Sequence, residues 1–442
     1  MWIVIVILML GLPRAVRAED WPHWRGPAAT GVSSEKGLPI HWSDTENIAW
    51  KVKLRGLGAS SPIVWGNRVI VTSQIGSGVL ARNAPPLVQP GTGAAGERPL
   101  GRGAGAAGPP DATDRVTFLV TAFDRASGHP LWEFELPSEG KLPAVHEKQN
   151  LASSSPVTDG ERIYAWFGTG QIVALDLSGK LVWKRHLGAE YAPFDILWGH
   201  SSSPIVYRDT VILLCYHQSA SYLLAVDSRS GNVRWKVDRG RDDNSYSTPL
   251  VVETPGKVEL IVNSSAGLSG HDASTGELLW NIDEDNRFPV PMPIIHDGVI
   301  YATRGYRSGP YMAIRPGGKG NVENSHLLWK VSTGAPYMAS LVYHDGLLYM
   351  IGDVGVMSSV DAKTGERLWQ ERVGGLYYSS PVVADGKIYA LSETGETIVV
   401  EAGRTPRVLA RNKLDARLLA SPAVSGGRLF IRSDDTLFAI GQ

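Results

Sequence analysis

Residues 379–410 read SSPVVADGKIYALSETGETIVVEAGRTPRVLA, and this one stretch decides the fold. The pair Ser380-Pro381 opens it, and Asp385-Gly386 then separates two short runs rich in Val, Ile and Tyr. Asp-Gly between such runs is a strong hairpin signal. The stretch predicts a strand over 380–384, a second over 387–392, a turn at Thr394-Gly395, a third strand over 396–401 and a fourth over 408–410. Four short antiparallel strands in about 40 residues is the size of one propeller blade.

The same phrases recur along the chain. Small-residue and proline marks stand at Ser61-Pro62, Ser155-Pro156, Ser203-Pro204, Thr248-Pro249, Met292-Pro293, Ser340-Leu341, Ser380-Pro381 and Ser421-Pro422. Interleaved with them, FDRASGHPLW, LDLSGKLVW, VDSRSGNVRW, HDASTGELLW, a degraded ENSHLLW and VDAKTGERLW end on Trp132, Trp183, Trp235, Trp280, Trp329 and Trp369. Repeated aspartates such as Asp176, Asp227, Asp272 and Asp361 read as turn formers that bind nearby backbone. No helical pattern of useful length follows the leader, so the expected fold is all-β, an eight-bladed β-propeller of four-stranded antiparallel blades. Seven blades is the alternative if a degraded copy does not fold.

The last copy, from Ser421, supplies only three strands, while Ile48 to Leu54 forms an unpartnered strand carrying Trp50. The two shortages cancel if the amino-terminal strand closes the ring. Trp50 and the six later tryptophans are expected to be structural, each packing between neighbouring blades. Blade seven lacks the tryptophan, and Leu409 is expected in its place. The predicted organisation is a signal peptide over 1–18, a non-regular arm over 19–47 laid on the propeller surface, and a single propeller over 48–442. A Gly/Ala/Pro-rich insertion over 76–114 interrupts blade one.

The short apolar run Trp2 to Leu12 and the small residues before position 19 predict export to the periplasm or the medium, with no transmembrane segment after cleavage. The formal charge of −1 argues against a nucleic-acid partner. Cys215 is the only cysteine, so an internal disulfide is impossible, and its apolar strand context predicts an inert, buried thiol. A monomer is expected.

Propeller loops that lead into each innermost strand share a face with the loops between strands two and three, and binding residues gather on loops held by a rigid frame. That rule nominates His146, Lys148 and Asn150 before blade two, Trp198 and His200 before blade three, and Arg239, Asp242, Asp243 and Tyr246 before blade four. Tyr337 precedes blade six, Tyr377 and Tyr378 precede blade seven, and His217 follows the second strand of blade three. His271 reads as a surface replacement in a strand. Such a set suits an oxygen-rich ligand. No nucleophile motif, phosphate loop or metal-ligand spacing stands out, so no metal site and no catalytic residue are assigned.

The Ser-Ser-Pro-Val and LDxxTGxxxW phrases together resemble the pyrroloquinoline-quinone (PQQ)-type β-propeller repeat superfamily, over about residues 48–442. The opening DWPHWRGP resembles secreted single-propeller relatives of uncharacterised function. The resemblance implies one of two roles. The first is a BamB-like, non-catalytic scaffold that binds an envelope protein or a glycan at the mouth and needs no cofactor. The second is a PQQ- or metal-dependent oxidoreductase of small alcohols or sugars, with calcium beside the quinone. Cys215 alone cannot form the adjacent-cysteine disulfide of the quinoprotein dehydrogenases, and the BamB lipid-anchor cysteine is missing near the leader. The first role is the expectation, and the second stays open.

Overall fold

The computed structural model describes residues 18–76, 115–240, 243–254, 256–306 and 308–442. The expected leader up to residue 17, the insertion over 77–114 and Asp242 lie outside them. Thirty-two strands form eight antiparallel sheets of four, each running outward from an innermost strand that follows one of the proline marks. Blade six is typical: Val342–His344, Leu347–Ile351, Val356–Asp361 and Arg367–Arg372. In blade eight, Ile48–Lys53 pairs antiparallel with Thr436–Ile440, so the amino-terminal strand closes the ring. No helix among the described residues is long and apolar enough to cross a membrane.

Local chemistry accounts for the blades. Asp297, Asp345 and Asp385 have positive φ and each precedes a positive-φ glycine, the pair that a tight hairpin requires. Side-chain oxygens of Asp124, Asp176, Asp227 and Asp272 accept backbone N–H groups two to four residues on. Hydrogen bonds from the Ser127, Ser178, Arg234 and Ser274 side chains, with these backbone bonds, hold their carboxyls below the usual range. The repeated glycine of that turn lies under the preceding blade's indole. At Gly231 (φ +72°) a Cβ would stand 2.8 Å from Trp183.

The tryptophans link successive blades. Indole N–H groups of Trp50, Trp132, Trp183, Trp329 and Trp369 donate to carbonyls in the third-strand turn of the next blade, at Arg125, Leu177, Ser228, Ala362 and Gly403. Trp280 departs from the rule. Blade five replaces the aspartate turn with Arg315 to Gly320, and Trp280 donates instead to the buried Glu259 carboxylate at 2.8 Å.

A second set of bonds gives the serine of each mark its role. The backbone N–H of Ser61 donates to Ser155 Oγ, Ser155 to Ser203, and Ser203 to Thr248, at 2.9–3.0 Å. Met292, Ser340, Ser380 and Ser421 donate in turn to Ser340, Ser380, Ser421 and Ser61. This girdle around the axis lacks only the link between blades four and five, where Met292 holds the serine place. There Ser247 Oγ donates to the Pro291 carbonyl at 2.9 Å.

One expectation about the tryptophans needs correction. The register pairs Val399 with Ala410, as Ser359 pairs with Trp369, so Ala410 and not Leu409 occupies the tryptophan position of blade seven. The ring is supplied from elsewhere. Trp42 of the arm, 4% exposed, stacks on Tyr389 with centroids 6.4 Å apart. That matches Trp369 on Tyr349 at 6.2 Å in blade six.

The arm packs against the innermost strands of several blades. Trp21 pairs with Val64 of blade one, and Thr158 of blade two donates to the Pro22 carbonyl. Val32–Ser33 pairs parallel with Val382–Ala384 of blade seven, and Ser425 of blade eight donates to Glu19. These partners sit on innermost strands near their far ends. Arg25, fully buried, reaches further along the axis to the carbonyls of Leu341 and Pro381 at 2.8 and 2.9 Å. Residues 19–33 therefore cross the end of the channel opposite the mouth.

Candidate functional site

The second strands of blades six, seven and eight end in turns that carry Asp353, Glu393 and Asp434 at the mouth. All three are buried. Two have cations. Lys148 Nζ, from the loop before blade two, donates to Glu393 at 2.7 Å and to the Tyr378 hydroxyl at 3.1 Å, and lies 4.5 Å from the Tyr378 ring centroid. Blades two and seven face each other across much of the ring, so this pair bridges the mouth. Arg417 donates to Asp434 at 2.8 Å.

Asp353 has no cation among the described residues. One carboxyl oxygen accepts the Met338 N–H at 3.2 Å, and Oδ2 is buried with no hydrogen-bond partner. Burial pushes its pKa up to about 6, because desolvation disfavours the charged form.

Aromatic rings complete the circuit. His146 meets Trp198 edge-on at 5.4 Å, Trp198 meets Phe288 at 6.0 Å, Phe288 meets Tyr306 at 5.0 Å, and Tyr306 meets Tyr337 at 5.4 Å. Tyr246 packs behind, its hydroxyl accepting the Trp198 N–H. Tyr337 and the Tyr377 backbone adjoin Asp353, and Tyr378 returns the path to Lys148. Lys148 N–H donates to His146 Nδ1 at 3.1 Å, closing the loop. Burial, with the Lys148 charge, lowers the His146 pKa to about 4, so the imidazole is neutral.

The fold thus brings together His146, Lys148, Trp198, Tyr246, Tyr337 and Tyr378. It places the other nominated residues elsewhere. His200 and His217 lie 3.3 Å apart, buried against Trp166 and Phe194 between blades two and three. Asn150 ties its loop to blade one through the Leu57 carbonyl. Tyr377 is fully buried in the core between blades six and seven. Arg239 belongs to the outer strand Val233–Gly240, beside Tyr216, because that strand pairs as far as Ser221. Asp243 accepts the Ser265 hydroxyl at 3.1 Å. His271 is wholly buried and bonded to Ser269 and the Gly276 carbonyl, so it is a core residue and not a surface one.

Asp353, Glu393, Phe288 and Tyr306 were not nominated from the sequence. A signal for the acids existed: GDVG, SETG and SDDT occupy one repeat position after the second strand. Among the described residues no three His, Cys, Asp or Glu side chains converge as a metal site.

Comparison with known proteins adds the family. A family model described as outer membrane protein assembly factor BamB matches residues 117–317 and 318–405. The chain belongs to the BamB family of β-propellers. The crystal structure of BamB from Moraxella catarrhalis superposes with a TM-score of 0.53 at 15% identity, covering 73% of this chain and 91% of that one. Quinohemoprotein alcohol dehydrogenase from Comamonas testosteroni superposes at 0.62 and 12% identity, covering 95% and 80%. Both show the shared propeller alone. By sequence, a polyvinylalcohol dehydrogenase of a Pseudomonas species is 26% identical over 259 residues, 50% of this chain and 35% of the relative. A lanthanide-dependent methanol dehydrogenase of Methylorubrum extorquens is 29% identical over 137 residues, 28% and 22% of the two chains. This BamB-family chain therefore spans well under half the length of these curated relatives.

Proposed function

We propose that the mouth of this propeller is a recognition site for a hydroxyl-rich ligand, a glycan or polyol presented in the cell envelope. The observation that carries this reading is the two-sided mouth: rings from Trp198, Phe288, Tyr306 and Tyr337 on one side, Lys148, Glu393 and Asp353 on the other. Ring faces take the apolar C–H surface of a sugar, and convergent polar groups fix its hydroxyls. The blind end of the channel, crossed by the arm, supports a ligand that enters and leaves at the mouth alone. Membership of the BamB family supports an envelope setting. Tryptophan fluorescence and calorimetric titration with neutral oligosaccharides and polyvinyl alcohol test the proposal. Saturable binding that Trp198→Ala weakens is the expected result. No binding across the panel would overturn it.

The matched dehydrogenases favour a second reading, a PQQ-dependent oxidation of alcohols or sugars. PQQ is a flat polycarboxylate, so its holder needs uncommitted cations beside a slot. Lys148 is bound to Glu393, Arg417 to Asp434, and Arg304 and Arg432 to Asn263, serine hydroxyls and carbonyls. These residues do not fit the quinone as they stand, since it would have to take Lys148 from Glu393. Titration with PQQ and calcium, read by fluorescence and thermal shift, separates the readings: saturable binding selects the second.

A further inference from the structure

Three consecutive blades offer one acidic residue at one structural position, and the fold neutralises two of them. Glu393 has Lys148 and Asp434 has Arg417. Asp434 and Asp353 each keep one buried carboxyl oxygen without a partner, but Asp353, 5% exposed, has no cation among the described residues to offset it. A buried carboxyl with one oxygen unbonded and no cation near it is costly and calls for an explanation. The groups that face its carboxyl are the Met338 and Tyr337 backbone N–H groups and the Tyr337 phenol, with Tyr246 and Tyr306 beside that phenol. None of these is a cation, and three are aromatic. A carboxylate beside aromatic rings is the combination that receives an organic ammonium group, through a charge-assisted hydrogen bond and attraction to the ring faces.

We infer that the ligand of the mouth carries an amine, as an amino sugar does, and that Asp353 Oδ2 receives its ammonium group beside Tyr337 and Tyr306. The inference rests on the mouth being the ligand site, and it names the ligand's chemical class. Oδ2 is covered in this conformation, so entry requires a neighbouring side chain to move aside. An ammonium pairs with the ionised carboxyl alone, so affinity rises as pH increases from 5 through the Asp353 titration near 6 and falls again once the sugar's own amine loses its proton near neutral pH.

The test compares glucosamine oligomers with their N-acetylated counterparts, which keep the sugar rings and lose the charge, by calorimetry at pH 5 and about 6.5, where the amine still carries its proton in good part. The expected result is a preference of about tenfold for the amine form at pH about 6.5. That preference should shrink at pH 5 and vanish in Asp353→Asn. Asp353→Asn removes an unpaired charge and should fold, which a melting curve checks. If it does not, the pH dependence of the wild type decides instead. Equal affinity for both forms, or a preference that Asp353→Asn retains, would overturn the amine assignment and leave the recognition site standing. Failure of both forms and of the neutral panel would sink both proposals.

Discussion

Replacing Trp42 by alanine should weaken the whole propeller, although the residue lies outside every blade strand. The indole is 4% exposed and stacks on Tyr389 in the space that a blade tryptophan fills elsewhere. Burying a side chain of this size removes on the order of 200 Å² from water, which at about 25 cal/mol/Å² gives roughly 5 kcal/mol as an upper value. Loss of the Tyr389 contact adds about 0.5–1.5 kcal/mol. Against this, the Trp42 indole N–H is buried without a partner, so its removal returns part of a desolvation cost. The expected loss is about 3–5 kcal/mol. The assay is urea unfolding of the full chain followed by far-UV circular dichroism, comparing midpoints with Trp369→Ala, the position-matched ring of blade six. Trp42→Ala combined with Ala410→Trp should recover at least half of the loss, because the second change puts an indole back from the strand itself. A loss below about 1 kcal/mol, or a double variant no better than the single one, would refute the claim that the arm completes blade seven.

Three further outcomes follow from the same structure. Ser380→Ala leaves the buried Ser340 N–H without its acceptor and should cost about 1–3 kcal/mol. Met292→Ser empties a buried core position but offers Thr248 the acceptor that the girdle lacks, so its unfolding midpoint should lie above that of Met292→Ala. His146 and His271 are buried neutral with pKa values lowered to about 4, and His217 to about 3. Below about 6.5 the unfolded chain binds protons that the folded chain refuses, so stability should fall as pH drops from 6.5 towards 4. Asp353, with its raised pKa, opposes that trend between about 4 and 6. The loss measured by unfolding at pH 7 and 4.5 should therefore be shallower in His271→Asn and steeper in Asp353→Asn. Equal slopes in all three proteins would refute the histidine assignment.

The repeat phrases by themselves determined the eight blades, the hairpins and the closing strand, because turns and strand alternation are local properties that recur wherever the phrase recurs. Strand ranges such as 396–401 are legible to the residue for that reason. The same periodicity misleads where a repeat position is filled from outside its copy. Ala410 leaves a void that only Trp42 can fill, and nothing in the spacing of residues 408–413 announces it. The mouth is of this second kind. Lys148 and Glu393 are 245 positions apart and meet only because the ring closes. His200, His217 and Tyr377 come from loops of the same face, yet their rings turn into the seams between blades, where apolar burial outweighs exposure at the rim. Loop composition shows which segments line a propeller's face. Which side chains reach its axis, and which acid is left without a cation, is decided by the order in which eight blades bring their turns together.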